Sequence, residues 1–368
     1  MRFLINEAGF GLVMLIVVLS SVLNSNAEVV HQYHHDNIQI GPASSEEPFL
    51  ASWSIDAALS HLDQGARAWT ESKQCISCHT NGSYMLFRPA LSSIAGPPDL
   101  TLQRFFHDEL ENLERQETSF LLKGIQPTQL AYLAAGLASW DRHLAGSCSP
   151  ETDRALRLMF KAQSNDGSFG NDDCWPPLES SSYHAATVAA TAVASAPDWL
   201  SKMSSDSALG EPIKKLENYL KNTPPPHAYA QILFWSAAHY WPDLQTEDSK
   251  ERLMAFVQAH QQEDGGWALR SFAAPEEWGD GGRVQKLQDE PEFDYPKSDG
   301  HMTGLICMIL RQYGFASADP VLSRGLKWLK SHQRVSGRWW TRSLNTDRFH
   351  FITYSGTCYA LMALALPE

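Results

Sequence analysis

The sequence predicts an all-α protein built from repeated helical hairpins, because one turn pattern recurs and two kinds of helix alternate around it. The turn appears as Lys161-Ala-Gln-Ser-Asn-Asp-Gly-Ser-Phe169, His260-Gln-Gln-Glu-Asp-Gly-Gly-Trp267 and Ser331-His-Gln-Arg-Val-Ser-Gly-Arg-Trp339. Each copy closes an amphipathic stretch with Gln, then Gly, then an aromatic residue. Glycine there stops the helix by taking a left-handed conformation. The aromatic side chain packs back on the helix end, and Gln bonds freed backbone groups.

After each turn comes a helix of small and apolar residues, expected over 183–194, 302–313 and 355–366. Three more stretches read the same way, over 84–94, 130–140 and 229–240. A helix that is apolar all round is buried, so these six are expected inside. Mixed helices with a charged face lie near 54–71, 102–119, 151–163, 211–221, 249–262 and 320–333, and these are expected outside. Such hairpins can close into a ring or stack into an open solenoid.

The 368-residue chain is 43% hydrophobic with 12 tryptophans, enough for a sizeable core. Its net charge of −13 argues against nucleic acid and anionic membrane surfaces as partners. Residues 1–27 read as a cleaved secretory signal: Arg2, an apolar run over 10–23, and small residues at Ser25 and Ala27. The protein is therefore expected in the periplasm or otherwise exported, with no membrane span once the signal is removed. Residues 28–50, polar with Pro42 and Pro48, read as a flexible lead-in, and 51–368 as one domain. The segment 270–300 is rich in Gly, Pro, Asp and Glu and reads as an insertion. It is expected to be a solvated loop, or else a lid or partner surface over one rim.

The Gln…Asp-Gly-Gly-Trp turns resemble the "QW" repeats of the terpenoid cyclase and protein prenyltransferase superfamily over about residues 51–368. The resemblance implies a closed (α/α)6 toroid of six hairpins, with a cavity near the N-terminal ends of the inner helices. The family's chemistry does not follow as readily. Squalene-type cyclases protonate an alkene with an Asp-x-Asp-Asp motif, whose acid must be kept protonated by its neighbours. The nearest run here, Asn171-Asp172-Asp173-Cys174, has a different spacing and reads as solvated carboxylates. Prenyltransferases hold zinc with Asp-x-Cys and a His. This chain has Asp299-Gly300-His301 and then Gly356 where the His belongs, with His350 the remaining substitute. Asp299 and His301 therefore read as helix caps before they read as ligands. The Cys-Gly-Glu-Gln motif of the thioester-bearing variant is missing from the sequence.

The strongest chemical signal is Cys75-Ile76-Ser77-Cys78-His79. This spacing lets two thiols bond the vinyl groups of one covalent haem c while the adjacent imidazole of His79 reaches the iron as axial ligand. A redox disulfide or a zinc site at Cys75, Cys78 and His79 are the rival readings. His301, His184, His227 and Met85 are candidates for the sixth iron ligand, with His350 nearby at the same rim. Cys148 and Cys174 flank one outer helix and could pair, whereas Cys307 and Cys358 read as buried packers. Trp339-Trp340 is expected to complete its turn.

The expected function is thus an exported c-type haem protein with a redox or electron-transfer role and an unidentified redox partner. Two alternatives stand beside it. One is a haem-free cavity enzyme or binder for an isoprenoid or other apolar small molecule. The other is a structural or interaction scaffold whose ring is filled by side chains.

Overall fold

The structure, a computed structural model, describes residues 30–170 and 175–365. The expected signal at 1–27, the run Asn171-Asp172-Asp173 and Cys174 with its possible bond to Cys148 lie outside the described residues.

Twelve principal helices follow one another in hairpins. The outer members are α1 (Ile55–Lys73), α3 (Leu100–Glu114), α5 (Pro150–Lys161), α7 (Gly210–Asn222), α9 (Ser249–Ala259) and α11 (Pro320–His332). The inner members are α2 (Asn81–Phe87, extended by single turns to Ala95), α4 (Gln126–Trp140), α6 (Ser182–Ser195), α8 (Ala228–Tyr240), α10 (Gly300–Gln312) and α12 (Ile352–Ala365). Each inner helix packs on the next, and α12 packs on α2, so the ring closes. The protein is an (α/α)6 toroid. α1 lies against α12 and α2, α3 against α2 and α4, and α5 against α4 and α6.

Composition explains the two layers. α3 buries Leu102, Phe106, Leu110 and Leu113, one stripe at helical spacing, and leaves the rest to water. In α12 every residue from Ile352 to Ala363 is buried. Small residues let the inner helices approach closely. A Cβ on Gly304 would stand 2.6 Å from the Ala360 nitrogen, and one on Gly356 would stand 2.9 Å from the His301 backbone. No side chain fits where the prenyltransferase family places its zinc histidine.

The three sequence turns share one construction. Gly167, Gly265 and Gly337 have φ of 97°, 91° and 88°, the left-handed conformation expected of them. The aromatics Phe169, Trp267 and Trp339 are fully buried. Trp267 and Trp339 each donate their indole N–H to the preceding outer helix, at Val257 O (2.8 Å) and Leu329 O (2.7 Å).

The Gln side chain does more than cap its own helix. Gln163 donates to Gly167 O and to Pro212 O at the start of α7. Gln261 donates to Gly265 O and to Val321 O at the start of α11. Gln333 donates to Gly337 O and Ser54 O (both 2.9 Å) and accepts from Ser54 N (2.6 Å). Ser54 caps α1. Each turn therefore staples one hairpin to the next outer helix, and the last turn staples to the first.

Residues 31–50 correct the expectation of a flexible lead-in. β1 (Tyr33–His35) and β2 (Ile38–Ile40) pair antiparallel around Asp36. Their apolar residues Tyr33 and Ile38 enter the core beside α1. Glu47 then takes Arg338 Nε (3.1 Å) and Ser336 N (2.7 Å) from the last turn. Two buried anchors and one ion pair hold a segment whose average composition is polar.

The insertion is likewise ordered by a few large side chains. Phe272, Trp278 and Leu287 are buried, and Trp278 packs on His227 (ring centroids 5.2 Å) and Tyr229 (5.5 Å). Arg270 pairs with the buried Glu290. The segment thus packs on the start of α8 through Trp278, and its large apolar residues are buried rather than solvated. At the ring centre, side chains from all six inner helices leave only about 30 Å³. Among the described residues no helix is long and apolar enough to cross a membrane.

Candidate functional site

The link between α1 and α2 lacks the Gly-aromatic turn and is organised instead by Asn81. Its Oδ1 accepts from Ser77 N (2.8 Å), and its Nδ2 donates to Cys75 O (3.0 Å) and Thr70 Oγ1 (3.1 Å). Gly82 N bonds Ser77 O at 2.9 Å, an approach a side chain would block, since a Cβ there would lie 2.6 Å from that oxygen. Gln129 of α4 donates to Ile76 O (2.8 Å), and Trp69 of α1 to Cys75 O (3.2 Å). With its backbone held on all sides, the link presents Cys75, Cys78 and His79 to a single cavity of about 320 Å³.

The cavity walls are mostly apolar. They include Trp69, Phe351, Ile76 and Ile125, with residues 175–179, Ser343, Asn345 and Thr346 completing the lining. His79 stacks on Phe351 (4.8 Å, 23°) and meets the edge of Trp69 (4.8 Å). Its Nδ1 bonds Thr80 Oγ1 at 2.7 Å, and that hydroxyl bonds Tyr33 OH at 3.3 Å. Burial pushes the His79 pKa down to about 4, so the ring is neutral and able to offer Nε2 as a lone-pair donor. Cys78 is buried and donates its S–H to Glu179 Oε1 at 3.0 Å. Burial, then the Glu179 charge, raises its thiol pKa well above the ordinary value. Burial raises that of Cys75 as well. Both shifts favour the thiol form over the thiolate. Both are free, and among the described residues no three His, Cys, Asp or Glu side chains converge to hold a metal ion.

None of the expected sixth ligands lines this pocket. His184 and His301 stand in the ring interior, with Nε2 bonded to Tyr132 OH (3.2 Å) and Tyr229 OH (2.9 Å). Burial pushes both pKa values down to about 3. His227 is the N-cap of α8, its Nδ1 accepting from Ala230 N at 3.1 Å, and Trp278 covers it. Met85 is fully buried against α4, close to Gly136. His350 accepts from Ser343 N (2.9 Å). Asp299 caps α10 through Met302 N and also takes Leu269 N, the role expected of it without a metal. Cys307 and Cys358 are buried packers, and Trp339 completes its turn.

Sequence reasoning missed Glu179, Trp69 and Asn345. Glu179 lies 101 positions from Cys78, and no local pattern couples them. Trp69 lies six residues before Cys75 on the expected outer helix, and its place at the end of α1 was the one usable signal.

No protein-family model matches the chain, and no curated protein sequence matches it. Among solved structures, the chain is similar to the type II terpene cyclase MstE from Scytonema in its apo form. The identity is 12% and the TM-score 0.49, over 84% of this chain and 96% of that one. A variant of MstE in complex with merosterolic acid A (product) gives 15% identity and a TM-score of 0.46 over the same shares. The ent-copalyl diphosphate synthase from Streptomyces platensis gives 13% and 0.45, over 77% of this chain and 50% of that one, so the chain spans about half of that enzyme. These likenesses are weak, and the toroid assignment rests on the closed ring of inner helices.

Proposed function

We propose that the Cys75–His79 pocket is the working site and that it holds a covalently attached haem c. One observation carries this reading: both thiols of the motif and its imidazole face the same aromatic-walled cavity of about 320 Å³. The residues fit the group in protonation as well as position. Each neutral thiol can add across a vinyl C=C, its sulfur bonding one carbon and its hydrogen going to the other, with no oxidant consumed. Neutral His79 can offer Nε2, while the Thr80 hydroxyl bonds Nδ1 and restrains the ring orientation. Trp69 and Phe351 restrain the imidazole. Bound there, haem would supply one-electron chemistry.

The four sixth-ligand candidates are replaced by a simpler proposal. None of His301, His184, His227 and Met85 is among the described pocket residues, so the proposal rests on Cys75, Cys78 and His79 alone. Export, which haem attachment needs, falls to residues 1–27.

A second reading places an isoprenoid or similar apolar molecule in the same pocket without covalent attachment. The apolar lining from Ile76, Ile125, Leu178 and Ile352 favours it. The ring centre is no competitor for either ligand, because about 30 Å³ admits roughly one water. The test is a visible spectrum with a pyridine haemochrome assay, on protein made with its own leader in a host that matures c-type cytochromes. Haem that survives acid–acetone extraction and is lost in Cys75→Ala/Cys78→Ala is the expected result. A folded but colourless protein refutes the haem assignment and leaves the non-covalent reading.

A further inference from the structure

We infer that the pocket takes a ligand whose apolar body ends in a carboxylate or phosphate, and that Arg283 receives that anionic end at the mouth. The inference rests on the pocket reading above but on neither choice of ligand.

Arg283 comes from the insertion at 270–300. Its guanidinium lies 5.2 Å over the Trp175 ring, and its Nε donates to Asn345 Oδ1 at 2.8 Å. Trp175 and Asn345 both line the cavity. Asn345 also donates to Pro176 O at 2.6 Å. Insertion, 343–346 loop and 175–179 segment are thereby joined into one frame around the opening. Trp175 is half exposed, which places Arg283 on the solvent side of that frame.

Charge partners set Arg283 apart from its neighbours. Arg270 and Lys286 pair with Glu290, and Arg342 pairs with Glu290 and Asp347. Among the described residues Arg283 forms no ion pair, and one edge of its guanidinium has only a 3.5 Å contact to Gly282 O. Such an edge accepts carboxylate or phosphate oxygens in parallel bonds. Within the lining, Glu179 already accepts the Cys78 thiol, and a second anion beside it would meet a carboxylate. The polarity of the pocket therefore orients an amphiphile: hydrocarbon or porphyrin body inward, acid outward. Haem, with its propionates, and a prenyl diphosphate share this chemistry.

The test uses two matched pairs of probes on the full chain: iron protoporphyrin IX with its dimethyl ester, and geranylgeranyl diphosphate with geranylgeraniol. Binding is read by tryptophan quenching for the wild type, Arg283→Ala and Arg283→Lys. The pair that binds identifies the source of the acid. The expected result is an acid form bound roughly ten- to a hundred-fold tighter than its neutral partner. That preference is lost in Arg283→Ala, with affinity for the neutral form unchanged, and partly restored in Arg283→Lys. Added salt should weaken only the acid form in the wild type, a readout that needs no variant. Equal binding of acid and neutral forms by the wild type overturns the Arg283 assignment while sparing the pocket. Binding of neither pair overturns the pocket itself.

Discussion

Replacing Gln333 by alanine tests whether one side chain locks the ring. Gln333 is almost wholly buried and makes three bonds, two of them to Ser54, which lies 279 positions earlier in the chain. The substitution strands Ser54 N, Ser54 O and Gly337 O. A typical hydrogen bond contributes about 1 kcal/mol net, and a stranded buried group costs about 1–3 kcal/mol. The N–H suffers most, because the carbonyls keep a second lone pair for water or neighbours. Because Ser54 is only half-buried, the sum is about 2–3 kcal/mol of stability. Gln333→Glu is expected to cost more, since an acceptor oxygen then faces two carbonyl oxygens. Urea denaturation measures the loss, and amide exchange locates it. Protection should fall in α1, at the start of the chain's packed region, and in α11, while α5 and α6 keep theirs. Gln261→Ala is the control, since it breaks an equivalent staple between consecutive hairpins. A loss below about 1 kcal/mol for Gln333→Ala, or unchanged exchange in α1, would mean that inner-helix packing alone closes the toroid.

Thr80→Val removes the hydroxyl bonded to His79 Nδ1 in a buried site and is expected to destabilise the fold by about 1–3 kcal/mol. In haem-loaded protein it should also raise the reduction potential, because the axial imidazole loses basicity; Tyr33→Phe should shift it less in the same direction, and an unmoved potential in both would sink the positioning role. Acid sensitivity follows from His61, His184 and His301, whose pKa values burial pushes down to about 3. Their folded pKa lies below the unfolded value of about 6.5, so this stabilisation is whole above pH 6.5 and drains away as pH falls toward 3. At pH 5.5 the unfolded chain gains about 1.4 kcal/mol from protonating each one. Melting temperatures should drop between pH 7.5 and 5.5, and His301→Gln should flatten part of that slope; a level profile in the wild type would contradict it.

Local periodicity and turn chemistry were legible before any tertiary contact was known. All twelve principal helices stand where the pattern put them, and small residues separated the inner layer from the outer because only small residues allow approaches such as that of Gly304 to Ala360. The Gly-aromatic turns were equally legible, since a left-handed glycine and a buried aromatic are requirements of the turn itself. The Cys75–His79 motif was legible through its spacing alone. Its surroundings could not be read, because they come from distant parts of the chain. Only the tertiary structure set Glu179 against Cys78, Phe351 against His79, and Tyr33 behind Thr80. The same long-range packing turned His184 and His301 toward tyrosines in the ring interior and Met85 toward α4, away from the pocket. It also ordered two segments that composition had marked as loose, because Tyr33 and Trp278 each find a buried seat that average polarity does not reveal. A side chain's partner across a ring is fixed by which helices meet, and that depends on the closure of the whole chain and not on its neighbours in sequence.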